Sequence, residues 1–274
     1  MKSDSTLIQR GLRTWLGAGI LFAVLLLFAN RIRDTLGNPA LFTGWILFAL
    51  FAALGAFNSR KKLSMLPLGA ASTWLRFHVV GGFLALALFW LHARTLWPHG
   101  LYEQALAACF YLVSASGITG WLLQRSLPRR LAATPVEIIY ERIPAEIARL
   151  REDAEAFVLD CTKASGRDTL ARHYIETLDW FFRRPRFLRN HVFGGTMARA
   201  WQRQQFGAIR QYLDEREAQF LERLNALAEH KTDVDFHYAA QTVMKLWLFL
   251  HLPLAVITLL LAAWHVLLIH IYAV

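Results

Sequence analysis

The sequence predicts an all-α membrane protein: a five-helix transmembrane bundle with a helical cytoplasmic insert before the last helix. Three observations predict it. Of 274 residues, 55% are hydrophobic and 13% aromatic, a composition suited to lipid-facing helices. The apolar residues are gathered into five runs, each close to the roughly 20 residues that cross the hydrocarbon core of a bilayer. The long polar stretch between the fourth and fifth runs has helical periodicity and lacks Gly-x-Gly-x-x-Gly, P-loop or strand-rich βαβ patterns.

The first run, roughly 14–30, follows Lys2, Arg10 and Arg13 as a signal peptide would. It is succeeded by Asn30-Arg31-Ile32-Arg33 with no small-x-small cleavage site, so it is read as a retained helix. Runs at roughly 40–57, 74–97, 102–124 and 245–272 complete the set. The chain then divides into membrane helices 1–125, an insert 126–241 and a last membrane helix 242–274. In the insert, Pro135 opens one helix, a second lies near 168–182 and a third at about 197–231. In the third, Phe206, Ile209, Leu213, Phe220, Leu224 and Leu227 recur at spacings of 3, 4 and 7, the stripe of an amphipathic helix.

Basic flanks set the expected orientation. Lys2, Arg10 and Arg13, then Arg60-Lys61-Lys62, then Arg125, Arg129 and Arg130 fall on one side, against Arg31, Arg33 and Arg94 near the other. The amino terminus and the insert are therefore expected in the cytoplasm, and Ile271 to Val274 outside. The expected setting is a bacterial inner (cytoplasmic) membrane.

A net charge of +10 resembles a nucleic-acid signal until it is partitioned. Residues 125–241 hold 19 Lys plus Arg and 17 Asp plus Glu, a contribution of only +2, so the other +8 is topology charge around the spans. No nucleic-acid partner is expected. Two cysteines, Cys109 and Cys161, make no disulfide framework, and no Cys-x-x-Cys-His exists for covalent haem attachment.

Ionisable residues within spans are rare and each needs a reason. His78 and His92 lie in the third span, and His251, His265 and His270 in the fifth. The first four form two pairs 14 residues apart, a rise of about 21 Å and a rotation about 40° short of four turns. Each pair therefore points from one helix face, one histidine near each edge of the hydrocarbon. The third and fifth spans run in the same direction, so His78 is level with His251 on the cytoplasmic side and His92 with His265 on the outer side. Two such ladders can clamp one porphyrin at each level, with an imidazole on either face of the iron. Bis-histidine ligation leaves no open position, which suits electron transfer. Two non-covalent haems b, with irons about 20 Å apart, are the expected cofactors.

Gly81-Gly82, one turn after His78, would admit a flat macrocycle close to the backbone, and Ser114 to Gly120 are similarly small. Small-residue helix packing explains both equally well. Arg76 and Arg94 bracket the ladder and are candidate partners for haem propionates, or headgroup-seeking side chains; Lys245 is a weaker candidate. From Trp180 to Leu213 there are seven arginines and no acid. This segment reads either as a docking patch for an acidic partner or as contact with anionic headgroups.

Histidines 14 apart on two like-directed helices, here His78/His92 and His251/His265, resemble the di-haem core of the cytochrome b subunit of quinol:cytochrome c oxidoreductases. They are similar also to the membrane core of the ferric reductase and NADPH oxidase superfamily. The resemblance covers the spans, about half the chain. It implies electron transfer as the membrane subunit of a quinone-linked or multihaem-cytochrome-linked oxidoreductase, with the quinone pool and a periplasmic cytochrome or cytoplasmic redox protein as partners. The chain lacks the Pro-Glu-Trp-Tyr motif of the first family and the flavin domain of the second. Two other function classes compete: a transition-metal transporter with a histidine path, and a non-redox membrane scaffold. A transporter would call for carboxylates within the spans. Only Glu103, at an edge, is present.

Overall fold

The computed structural model describes residues 2–35, 37–57 and 70–272, without the side chains of 2–10. Arg60-Lys61-Lys62 and the side chains of Lys2 and Arg10, which carry part of the orientation argument, lie outside the described residues. Among the described residues all regular structure is helical. The α-helices are α1 Lys2–Asp34, α2 Pro39–Gly55, α3 Ala71–Ala93, α4 Leu101–Leu131, α5 Ile143–Ser165, α6 Thr169–His173, α7 Asp179–Phe182, α8 Leu188–Phe193, α9 Met197–Arg210 and α10 Glu215–Tyr272. The chain forms two units: Met1–Trp121 with Leu248–Val274, and Leu122–Trp247.

Among the described residues, α1, α3, α4 and α10 are long and apolar enough to cross a membrane. The second expected span is shorter: α2 has 17 residues, about 25 Å at 1.5 Å per residue against a hydrocarbon core of about 30 Å. Its start follows local rules, with Pro39 at the first helical position and the Asn38 side chain accepting the Ala40 N–H at 3.0 Å. The third span stops short of the expected residue 97. Arg94 takes a left-handed conformation (φ 57°) and donates its N–H to the Trp90 carbonyl, which closes α3 at Ala93.

Helices α2, α3 and α4 share a core of Ala85, Phe89, Ala107 and Phe110, flanked by Leu47, Leu50 and Phe51. Phe89 stacks on Phe110 at 4.5 Å. Helix α1 joins through Trp15 on Phe83 and Phe28 on Phe42. The outward faces stay apolar: Ile20 and Leu27 on α1 and Phe249 and Leu260 on α10 are all more than 60% exposed, an arrangement stable in lipid and unfavourable in water.

The second unit has a separate core. Ile143, Ile147, Leu150, Ala154, Val158 and Cys161 line one face of α5 at spacings of 3 and 4. They pack with Leu170, Tyr174, Leu178, Phe181, Phe182, Phe206 and Leu224. A π-turn, Tyr174–Leu178, interrupts the segment expected near 168–182. Inside this core Lys231 and Asp235 are fully buried and bonded at 2.6 Å. Lys231 also donates to the Arg184 carbonyl and Asp235 accepts the Arg186 N–H, tying the arginine-rich segment to α10.

Two expectations for the insert are corrected. Pro135 opens no helix. The first helix begins at Ile143 with Pro144 in its opening turn, where a missing N–H has no cost. The segment 197–231 is not one helix but α9 and the start of α10, separated at residues 211–214. Asp214 accepts the Glu217 N–H at 2.7 Å while Glu217 accepts the Asp214 N–H at 3.2 Å, a reciprocal cap that starts a new helix. That helix then runs to Tyr272 with Pro253 inside it.

Candidate functional site

The four histidines meet as two pairs. His78 on α3 faces His251 on α10 with ring centroids 6.4 Å apart and planes at 79°. His92 faces His265 with centroids 6.5 Å apart and planes at 88°. Both pairs join the lower number on α3 to the lower on α10 and the higher to the higher, so the two helix segments run parallel with their 14-residue ladders in register.

The separations fit a metal centre shared by two imidazoles. A ring nitrogen about 2.0–2.1 Å from a metal, as imidazole makes with zinc, puts the ring centroid roughly 3 Å from the ion. Two imidazoles on opposite sides of one ion are then roughly 6 Å apart. Among the described residues there is no group of three or more His, Cys, Asp and Glu that could hold a metal ion. Two nitrogens are too few to hold a bare tetrahedral ion, but they are the number of axial positions that a porphyrin-bound iron leaves to the protein.

Each ring is positioned from behind. Nδ1 of His92 lies 3.1 Å from the Ala40 carbonyl and 3.2 Å from the Thr43 hydroxyl. Only a protonated Nδ1 can donate to that carbonyl, so Nε2 is left with the lone pair a metal needs. Thr43 is itself anchored, donating to the Pro39 carbonyl at 2.8 Å. Nδ1 of His251 lies 3.2 Å from the Ser116 hydroxyl. His78 is packed beneath Phe57 at 4.8 Å, and its buried Nδ1 lies by the Leu54 backbone without a well-formed hydrogen bond. The His265 ring lies parallel to Tyr102 at 6.2 Å, and the Tyr102 hydroxyl donates to the Leu261 carbonyl.

A cavity of about 330 Å³ opens at the His92/His265 level, walled by Phe48, Phe89, Phe110 and Thr258 among others, within the range of small-molecule and cofactor sites. Gly44 sits at its edge. A Cβ there would fall 2.9 Å from His92 Cε1, so a side chain at 44 would displace the imidazole. Gly117 plays a looser version of this role, its Cβ position lying 3.7 Å from His251 Cε1.

The remaining candidates separate. Gly81 packs against α2, where a Cβ would meet Leu54 at 2.9 Å, whereas a Cβ on Gly82 would meet nothing within 4 Å. Arg76 is half-buried and Arg94 exposed at the α3 cap. Lys245 is engaged elsewhere, bonded to Glu141 at 2.8 Å and lying over Tyr140. His270 is exposed, edge-on to Trp45 at 5.4 Å, with its ring nitrogen by the Val266 carbonyl. Gly44 and Thr43 escape sequence reasoning because they lie on a different helix, 48 and 49 residues before the histidine they touch.

The seven arginines between 183 and 210 are not one free patch. Arg183 pairs with Asp179, Arg199 with Asp233 and Arg210 with Glu222, and Arg186 lies over Trp180. Arg184, Arg189 and Arg203 are exposed and have no carboxylate partner among the described residues. Comparison with protein families, curated proteins and solved structures returns no match for this chain.

Proposed function

We propose that the chain holds two non-covalent haems b, one between His78 and His251 and one between His92 and His265, and carries electrons across a membrane. The observation that carries this reading is the pair of matched separations, 6.4 and 6.5 Å, at two levels of the same two helices. Each bound haem supplies reversible one-electron chemistry at its level. The four histidines would hold the haems, with the Ala40 carbonyl and Thr43 hydroxyl orienting the His92 ring and the Ser116 hydroxyl orienting the His251 ring. Phe89 and Phe110 give the cavity at the His92/His265 level largely apolar walls.

In this reading α2 and the carboxyl-terminal part of α10 cross the membrane together with α1, α3 and α4. Residues 126–241 lie in the cytoplasm and Tyr272 outside. Arg13, Arg125, Arg129 and Arg130 against Arg31, Arg33 and Arg94 support that orientation. The chain serves as the membrane subunit of a quinone-linked or multihaem-cytochrome-linked oxidoreductase, its partners being redox proteins on either side.

A reduced-minus-oxidised spectrum of the purified protein tests it. A b-type α band is expected, with two haems per chain by pyridine haemochrome. Folded protein that stays colourless after expression with ample haem would overturn the reading.

A further inference from the structure

The turn between α8 and α9 presents three apolar side chains to the outside of the second unit: Leu188, Phe193 and Met197, with Phe193 86% exposed. They border a shallow groove with Phe187 and Arg189. The turn is built rather than loose. Gly194 is left-handed (φ 78°), the Asn190 side chain accepts the Met197 N–H at 3.0 Å, and the Gly195 N–H donates to the Asn190 carbonyl at 2.8 Å. Phe187, left-handed at φ 54°, sets the entry to α8. Leu188, Phe193 and Met197 lie together on this turn as an exposed apolar patch with a basic residue at its edge, the kind of surface that marks a membrane or partner contact.

We propose that this turn docks on the anionic headgroup layer of the membrane in which the chain resides, with Phe193, Leu188 and Met197 entering the acyl boundary and Arg189 meeting lipid phosphate. Aromatic tips with adjacent basic residues are the side chains that favour that boundary. Charge selects lipid over another protein copy. No acidic residue occurs from Trp180 to Leu213, so a second copy of this segment would offer Arg189 no carboxylate in return. Arg184 and Arg203 add to the attraction of the unit for an anionic surface. The inference rests on membrane residence and not on the haems.

The full chain, with Cys109 and Cys161 changed to Ala and Phe193→Cys carrying a nitroxide, is placed in nanodiscs of phosphatidylcholine with or without phosphatidylglycerol. With the anionic lipid, collisions of the label with an aqueous nickel chelate fall and collisions with oxygen rise. Arg189→Gln lowers the bound-to-free ratio about fivefold, the factor equivalent to roughly 1 kcal/mol per basic residue at such a surface. Trypsin cleavage after Arg189 in the unsubstituted chain gives a second measurement free of cysteine changes, expected to be slower in anionic discs than in neutral ones. Equal nickel access and equal cleavage in both lipids would overturn the proposal. Protection that persists in detergent would overturn it too, since that would signify a protein contact.

Discussion

His92 is held on one side by the Ala40 carbonyl and the Thr43 hydroxyl and hemmed in by Gly44, while its partner His265 lies along Tyr102. Because each proposed porphyrin would span two helices at one depth, His92→Ala and His265→Ala are expected to abolish the same one of two spectral components. His78→Ala and His251→Ala should abolish the other, and His270→Ala neither; potentiometric titration of the variants distinguishes the components. Gly44→Val is expected to act like His92→Ala, removing the same component, since even its first carbon falls 2.9 Å from the imidazole. A Gly44→Val protein with both components intact would show that the ring is not confined there. The pairing of His78 with His251 and of His92 with His265 is legible from spacing alone, because a 14-residue repeat fixes face and depth on one helix. Gly44 and Thr43 were not, because what matters is which helix packs behind His92, and that is decided by the apolar faces of α2, α3 and α4 together.

At the scale of elements, the division between α9 and α10 turns on one cap. Asp214 and Glu217 satisfy each other's backbone N–H groups, so Asp214→Ala is expected to cost about 1 kcal/mol, read as a lower denaturation midpoint and faster amide exchange at the start of α10. A change confined to the membrane helices would contradict this. Phe206 and Leu224 lie on opposite sides of the break yet are buried in the same core, which is why the apolar periodicity reads as one helix. The local signal was present all the same, in the spacing of Asp214 and Glu217 and in Pro144 near the head of α5. The short apolar run of α2 and the end of α3 at Arg94 were less legible, because a hydropathy run records where lipid or core is tolerated and not where backbone hydrogen bonding stops.

For the whole molecule, charge buried in the second unit links stability to pH. Burial, together with Lys231 and Arg130, pushes the His191 imidazole down to about 4 from its ordinary value near 6.5. As pH falls from about 6.5 to 4 the unfolded chain takes up a proton that the folded chain refuses, so stability is lost across that window, by about 3 kcal/mol at most. His191→Gln should therefore melt at a temperature that rises relative to the parent as the pH is lowered from 7 to 4, by calorimetry. A constant offset would mean that His191 titrates alike in both states. The buried Asp235 carboxyl, held up to about 6 by its desolvation, contributes in the opposite sense, and comparison of variant with parent removes it. The ladder of the first unit has an electrical meaning as well. Fourteen helical residues separate its levels, about 21 Å of a hydrocarbon layer of about 30 Å. On the proposed reading, one electron passing between the levels crosses roughly two-thirds of the membrane potential, worth about 1.6 kcal/mol for every 100 mV. Electron transfer through this chain would then be a current in its own right: its equilibrium would shift with voltage in sealed vesicles, by about 70 mV per 100 mV applied, even with no proton moving beside it.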